Sequence, residues 1–176
     1  MPELSTDTDT DTDAGPEPAL EAGTPFAAYR QQVRPEWLDY NGHLNDASYA
    51  LVLTHAHELL LEHLGLSADY RESHQGSMFT VEMHLRYVAE VSAGQTLTAA
   101  TTVVDADAKR LRLHSELYAD GELAATGECL YVHVDTAAGR SAPLPDDRMA
   151  RVEAMLAAHA DLPRPAHLGL GVGSRP

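Results

Sequence analysis

Between Trp37 and Tyr49 the chain reads WLDYNGHLNDASY, which gathers acidic side chains, a glycine, a histidine, two asparagines and three aromatic rings in one short stretch. Asp39 is the residue type that attacks a carbonyl carbon or takes a proton from water. Gly42, three residues on, lets the backbone approach a ligand closely. Asn45 or Asp46 then opens a helix, whose unpaired N–H groups and positive dipole end favour negative charge. Such a set suits acyl transfer: a carboxylate to attack or activate water, and helix-start amides near Asn45 to Ala47 to polarise a carbonyl. DYNG is equally a good turn, and Asn45 or Asp46 a plain helix cap, so the local pattern leaves both readings open.

The elements that must hold this loop follow from periodicity. FAAYRQQVRPEW alternates up to Pro35 and predicts a strand running into the loop. From Asn45 or Asp46 to about Leu64, the spacing of Tyr49, Val52, Leu53, Ala56, Leu59, Leu60 and His63 predicts one largely buried helix, with Gly65 as its stop. SADYRESHQG reads as a loop. Four strand-like segments follow, SMFTVEMHLRYVAEV, QTLTAATTVVDA, KRLRLHSELYA and ELAATGECLYVHVD, divided by SAG, DADAK and DG breaks that predict an antiparallel meander. LPDDRMARVEAMLAAHAD predicts a short terminal helix. A long apolar helix beside one sheet must lie across it, so the expected class is α+β, a five-stranded antiparallel sheet wrapped around the helix.

The chain of 176 residues sets 12 basic against 27 acidic side chains, a net charge of −15, which argues against nucleic acid or an anionic membrane as partner. Seven of the acids lie within residues 1–29, where there is no Lys or Arg. Residues 1–24 are read as a disordered acidic tail, 25–160 as the folded domain and 161–176 as a flexible end. The alternating Asp residues lack the glycine and closing Glu of a calcium loop. Cys129 has no second cysteine to pair with and reads as a buried structural thiol. Without a signal peptide or an apolar span, the expected location is the cytoplasm.

The order of elements and the phrase DYNGHLNDASY resemble the hotdog-fold acyl-CoA thioesterases of the 4-hydroxybenzoyl-CoA thioesterase type, over about residues 26–136. FTVEMHLRY, DADAKRLRLHSEL, GELAATGECLYVHVDT and GRSAPLP are similar, more narrowly, to the betainyl-CoA thioesterases of carnitine breakdown. The resemblance implies that Asp39 stands at the catalytic carboxylate and the N–H near Asp46 at the donor to the thioester carbonyl. It also implies a site shared between two subunits of a homodimer or dimer of dimers, with Thr80, Glu82 and His84 reaching in from the partner chain.

Alternation places Thr80, Glu82 and His84 on one strand face, with Met78 in phase; that row is either part of the site or the polar outer face of the sheet. A betainyl group carries a trimethylammonium cation, for which Trp37, Tyr40 and Tyr49 offer rings and Glu82 a countercharge. Gly42, His43 and Asn45 complete the expected substrate contacts. Arg86, Lys109, Arg110 and Arg112, with Arg140, are candidates for the CoA phosphates, unless KRLR is simply an exposed strand face. No metal or cofactor is expected. Two alternatives stand beside hydrolysis of an acyl-CoA: a hotdog hydratase, for which His55, His57 and Glu58 on the helix come nearest to the needed acid–base pair, and a noncatalytic acyl-CoA-binding protein.

Overall fold

A computed structural model describes residues 22–170. The predicted helix is present as α1, Asp46–His63, and Asn45 caps it by accepting the Ala47 N–H at 3.0 Å. Its buried residues are Tyr49, Val52, Leu53, Ala56, His57, Leu60 and Leu61, the apolar stripe of a helix with one face on a core. Leu64 takes the C-cap, and Gly65 follows with a φ of 74° that only glycine adopts without strain.

The strands are β1 Phe26–Gln32, β2 Gly76–Tyr87, β3 Thr96–Ala106, β4 Arg110–Ala119 and β5 Glu122–Asp135, joined by a two-residue β6, Arg140–Ser141, that pairs with β5. The sheet is antiparallel and curls around α1, as the α+β reading requires. It has one short strand more than expected. A second short helix, α2 (Ala68–His74), replaces the expected loop, and α3 (Asp146–Ala158) closes the C-terminal end of α1 with Val152 and Met155 in the core.

The meander is corrected in one respect. The spatial order is β1-β3-β4-β5-β2, so only β3, β4 and β5 follow one another. The SAG segment is not a hairpin, because β2 pairs with β5 and the chain crosses past the helix start before β3 begins. The DG break does make the expected tight turn, with positive φ at both Asp120 and Gly121.

Between Thr80 and Glu82 the register of β2 slips by one residue, a bulge at Val81. Thr80 pairs with Tyr131, which faces α1, whereas Glu82 and His84 pair with Leu130 and Glu128 on the outer face. Thr80 and Met78 therefore lie on the helix side and Glu82 and His84 on the opposite side. The single-face row expected from alternation does not exist, since an extra residue inverts the phase beyond it.

Two contacts seat the helix. His57, fully buried, shares hydrogen bonds with the Tyr131 hydroxyl and with Ser115 Oγ, each 2.9 Å, and Ser115 is bonded in turn to Thr101. Burial pushes this imidazole down to about 4, so at neutral pH it is an uncharged member of the core. Beneath Leu53, β5 carries Gly127; a Cβ there would sit 2.5 Å from Leu53 Cδ1. Among the described residues no helix is long and apolar enough to cross a membrane.

Gly127→Ala is therefore expected to lower unfolding free energy by about 1–3 kcal/mol through overpacking, measured by urea denaturation, with Leu53→Ala in the same chain relieving the clash.

Candidate active site

The loop between β1 and α1 is fixed at its base by the Trp37 carbonyl. That oxygen accepts the Asn45 N–H at 2.8 Å and the Ser48 hydroxyl at 3.1 Å, which ties the end of a short 3-10 turn (Pro35–Trp37) to the first turn of α1. Leu38 and Leu44 pair across the loop, and the Asp39 N–H donates to the His43 carbonyl at 2.8 Å. Gly42 sits at the tip with φ 79° and open space where a side chain would be. From the far side the segment after β2 closes in: the Leu44 N–H donates to Val91 O at 2.7 Å, the Tyr49 hydroxyl to Ala89 O at 3.1 Å and the Tyr87 hydroxyl to Asp46 O at 3.3 Å.

Within this frame Asp39 divides its two oxygens. Oδ1 accepts the Asn41 N–H at 2.8 Å and the His43 N–H at 3.2 Å, while Oδ2 meets only the Asn41 side-chain amide at 3.5 Å. One oxygen anchors the carboxylate, and the other takes only that one long hydrogen bond. Desolvation alone would raise its pKa. The His43 and Asn41 N–H donors, the Asn41 amide and the nearby His43 outweigh it and hold the carboxyl below the ordinary aspartate range.

Of the first helical N–H groups, Ala47 donates to Asn45 and Asp46 side chains and Ser48 to the Asn45 carbonyl; the Asp46 N–H has no acceptor among the described residues. A free N–H at the positive end of an 18-residue helix is a group able to donate to an oxyanion.

His43 lies in the loop with Nε2 3.6 Å from Glu90, and Asn45 is spent on the cap. The three rings do not form one cage. Trp37 and Tyr49 are core residues, 6% and 4% exposed, because the loop folds back over them, and Arg34 already covers the Trp37 ring at 5.1 Å; Tyr40 is 97% exposed. Aromatic side chains in a sequence do not tell which side of a loop they take.

Thr80 lines a cavity of about 440 Å³ with Thr54, Glu58 and Tyr131 on the helix side. Glu82 and His84 line one of about 630 Å³ on the outer face with Arg110, Arg112 and Glu128. The arginines there are already paired: Arg110 Nε donates to Asp107 at 2.7 Å and Arg112 Nε to Glu128 at 2.6 Å, and the Arg110 hydrogen bond, ahead of the turn N–H donors, holds Asp107 down to about 2. Neither arginine is brought to the Asp39 loop. Lys109 has no acidic partner among the described residues, and one buried nitrogen of Arg86, Nη1, has no hydrogen-bond partner there. Arg140 is exposed on β6. Cys129 is buried, and no cluster of three metal-ligating side chains occurs among the described residues.

Two residues at the site went unmarked in the sequence reading. Tyr87 and Glu90 reach it from the end of β2, and the only signal for them was an aromatic and an acid in RYVAEV next to a strand end.

A curled antiparallel sheet around one helix, with a carboxylate loop at the helix start, defines the hotdog class of α+β domain. Residues 33–152 match the thioesterase-like superfamily, and the chain belongs to that superfamily. It is 41% identical over 153 residues to the betainyl-CoA thioesterase of Pseudomonas aeruginosa, covering 86% of this chain and 96% of that one. It is 43% identical over 154 residues to the L-carnitine dehydrogenase/betainyl-CoA thioesterase of Agrobacterium fabrum; 87% of this chain is matched, but it spans only 31% of that longer protein. Among solved structures, a Staphylococcus aureus protein in complex with CoA superposes with a TM-score of 0.82 at 28% identity, over 90% of this chain and 99% of its own.

The geometry at Asp39 is open to direct measurement. Its carboxyl, followed by NMR, is expected to titrate below the ordinary 3.8 and to move upward in Asn41→Ala, which removes the side-chain donor but keeps the backbone one. A midpoint at or above 3.8 in the parent chain would contradict the hydrogen-bond arrangement.

Proposed function

We propose that the chain is an acyl-CoA thioesterase that cleaves betainyl-CoA to the free acid and CoA, with Asp39 as its catalytic carboxylate. The observation that carries this reading is the division of labour at Asp39, one oxygen anchored by two N–H groups and one held only by a long bond from the Asn41 amide, beside the free Asp46 N–H. Relatives with the betainyl-CoA thioesterase activity support the choice of substrate.

The thioester carbonyl oxygen takes the Asp46 N–H. Either Asp39 Oδ2 removes a proton from water as the water oxygen bonds to the carbonyl carbon, or Oδ2 itself bonds to that carbon and water later cleaves the anhydride. In both routes the C–S bond breaks, the sulfur leaves as thiolate and is protonated, and the acyl group departs as carboxylate. After a single turnover in ¹⁸O water, label in the Asp39 carboxyl marks an anhydride opened by water at the Asp39 carbon, whereas direct attack of water on the thioester leaves that carboxyl unlabelled.

Of the three helix residues a hydratase reading would draw on, His57 has both ring nitrogens engaged inside the core and is closed to substrate. A noncatalytic binder would not need a carboxylate oriented with one oxygen so lightly held.

A second copy of the chain completes the picture. β2 ends the sheet with one side unpaired, and Phe79 and Val81 along it are exposed, which fits pairing of two β2 strands into a homodimer or a dimer of dimers. With Arg110 and Arg112 engaged, Lys109, Arg86 and Arg140 are the remaining candidates for the CoA phosphates.

Release of free thiol from a panel of acyl-CoAs tests the activity. Wild type is expected to release CoA from betainyl-CoA, and Asp39→Asn to lose at least about a hundred-fold in kcat with an unchanged fold. Near-wild-type turnover by that variant would remove Asp39 from the mechanism. Light scattering is expected to find at least a dimer, and Val81→Lys, which sets a charge on the open edge, to shift the population towards monomer with loss of activity.

A further inference from the structure

A quaternary ammonium has no N–H to donate. It is recognised by an aromatic face and by negative charge nearby. Trp37 and Tyr49 are walled into the core and Tyr40 points away into solvent, so the rings first expected to bind it are not available as a set. One other ring stands at the helix start. Tyr87, the last residue of β2, pairs with Ala125 on the helix side of the sheet and is 55% exposed.

Its position is held from two directions. The hydroxyl donates to the Asp46 carbonyl at 3.3 Å, and the ring meets Tyr49 nearly at right angles, 85°, with centroids 5.2 Å apart. Tyr49 is itself pinned through its hydroxyl to Ala89. The aromatic pair is therefore a fixed wall with one member open to solvent.

Acidic groups ring that wall. Asp46 is exposed at the helix start, Asp39 stands in the facing loop, and the Glu90 side chain, 80% exposed, follows Tyr87 by three residues. His43 lies 3.6 Å from Glu90. The two hydroxyls register these charges: burial first, then Asp46, raises the pKa of Tyr87, and burial, then Glu90 and Tyr87, raise that of Tyr49 against the lowering effect of a backbone hydrogen bond.

Reach agrees. In a betainyl group the nitrogen lies two bonds from the carbonyl carbon, about 2.5 Å away, as in a peptide N–Cα–C unit. A thioester held on the Asp46 N–H and the ring whose hydroxyl is anchored on the Asp46 carbonyl share one residue, which keeps cation and ring in the same neighbourhood. We infer that Tyr87, with Glu90 as countercharge, determines the preference of this site for a quaternary-ammonium acyl group. The inference rests on the thioesterase reading above.

The test compares betainyl-CoA with 3,3-dimethylbutyryl-CoA, in which carbon replaces the charged nitrogen at the same shape. The positive nitrogen also activates the thioester chemically, so the quantity to follow is the change in the kcat/KM ratio between variant and wild type, which cancels that effect. Tyr87→Leu is expected to lower the ratio about ten-fold, whereas Tyr87→Phe, which keeps the ring, is expected to stay within about two-fold. Glu90→Gln, at an exposed position that does not threaten folding, is expected to lower it about three-fold.

An unchanged ratio in Tyr87→Leu, or an equal fall in the Leu and Phe variants, overturns the role of the ring. If Tyr87→Leu does not fold, Glu90→Gln decides, and an unchanged ratio there overturns the proposal. A wild type that cleaves both thioesters equally overturns the cation preference while the thioesterase reading stands; one that cleaves neither overturns that reading itself.

Discussion

An 18-residue helix lies tightly across a curled sheet only where the sheet gives it room, and here the room is Gly127 under Leu53. With no Cβ on β5 at that point, α1 comes down close to the strands along its whole buried face. Val52, Leu53, Ala56 and Leu60 are then sealed from water, at a stabilisation of roughly 1.5–3 kcal/mol for each large side chain. The same close seating brings His57 within reach of both Tyr131 and Ser115, so its polar atoms are satisfied rather than stranded. It also fixes where the helix begins. Because α1 cannot slide, its first turn is held against the end of β1 on one side and the end of β2 on the other, and the candidate site is assembled at that junction.

The junction works through backbone atoms more than through side chains. The Trp37 carbonyl with its two donors, the Leu44 N–H on Val91 O and the Tyr87 hydroxyl on Asp46 O bind three separate stretches of chain to one helix start. A carboxylate on a free loop would have to be ordered at each turnover. Asp39 instead has one oxygen already held by two N–H groups of its own loop, so the ordering is done when the protein folds.

How far the sequence reveals this depends on the range of the interaction concerned. The helix was legible because Tyr49, Val52, Leu53, Ala56 and Leu60 repeat at its period and Gly65 ends it. The loop was legible because Asp39, Gly42 and Asn45 have local conformational and capping roles. The pairing of β2 with β5 instead of β3 was not, since strand order is set by packing between distant segments. Nor was the bulge at Val81: TVEMH alternates in the chain whether or not one residue is extruded, and no glycine marks it. α2 has only Tyr70 buried, too few apolar residues for a period to show; its place is fixed by the Tyr70 hydroxyl donating to His133 Nε2 at 2.8 Å, whose other nitrogen donates to Ala142 O. The burial of Trp37 and Tyr49 and the exposure of Tyr87 depend likewise on which way a tertiary fold turns each ring.

Electrostatics then couples the substrate to the catalyst. Asp39, Asp46 and Glu90 give the rim of the site a negative potential, and Arg110 and Arg112 are neutralised by Asp107 and Glu128 on the other face of the sheet. A negative rim opposes the negative charge that develops on a thioester oxygen during attack, and in the proposed mechanism the Asp46 N–H with the helix dipole offsets only part of it. An acyl group that carries its own positive charge about 2.5 Å from the carbonyl carbon reverses the sign of that problem. The cation is drawn in by the same carboxylates that would hinder a neutral substrate, and once bound it stabilises the oxyanion at short range. The attraction to the rim is present before reaction, while the attraction to the oxyanion grows only as the tetrahedral centre forms, so part of the preference for a cationic acyl group must be expressed in kcat and not in KM alone.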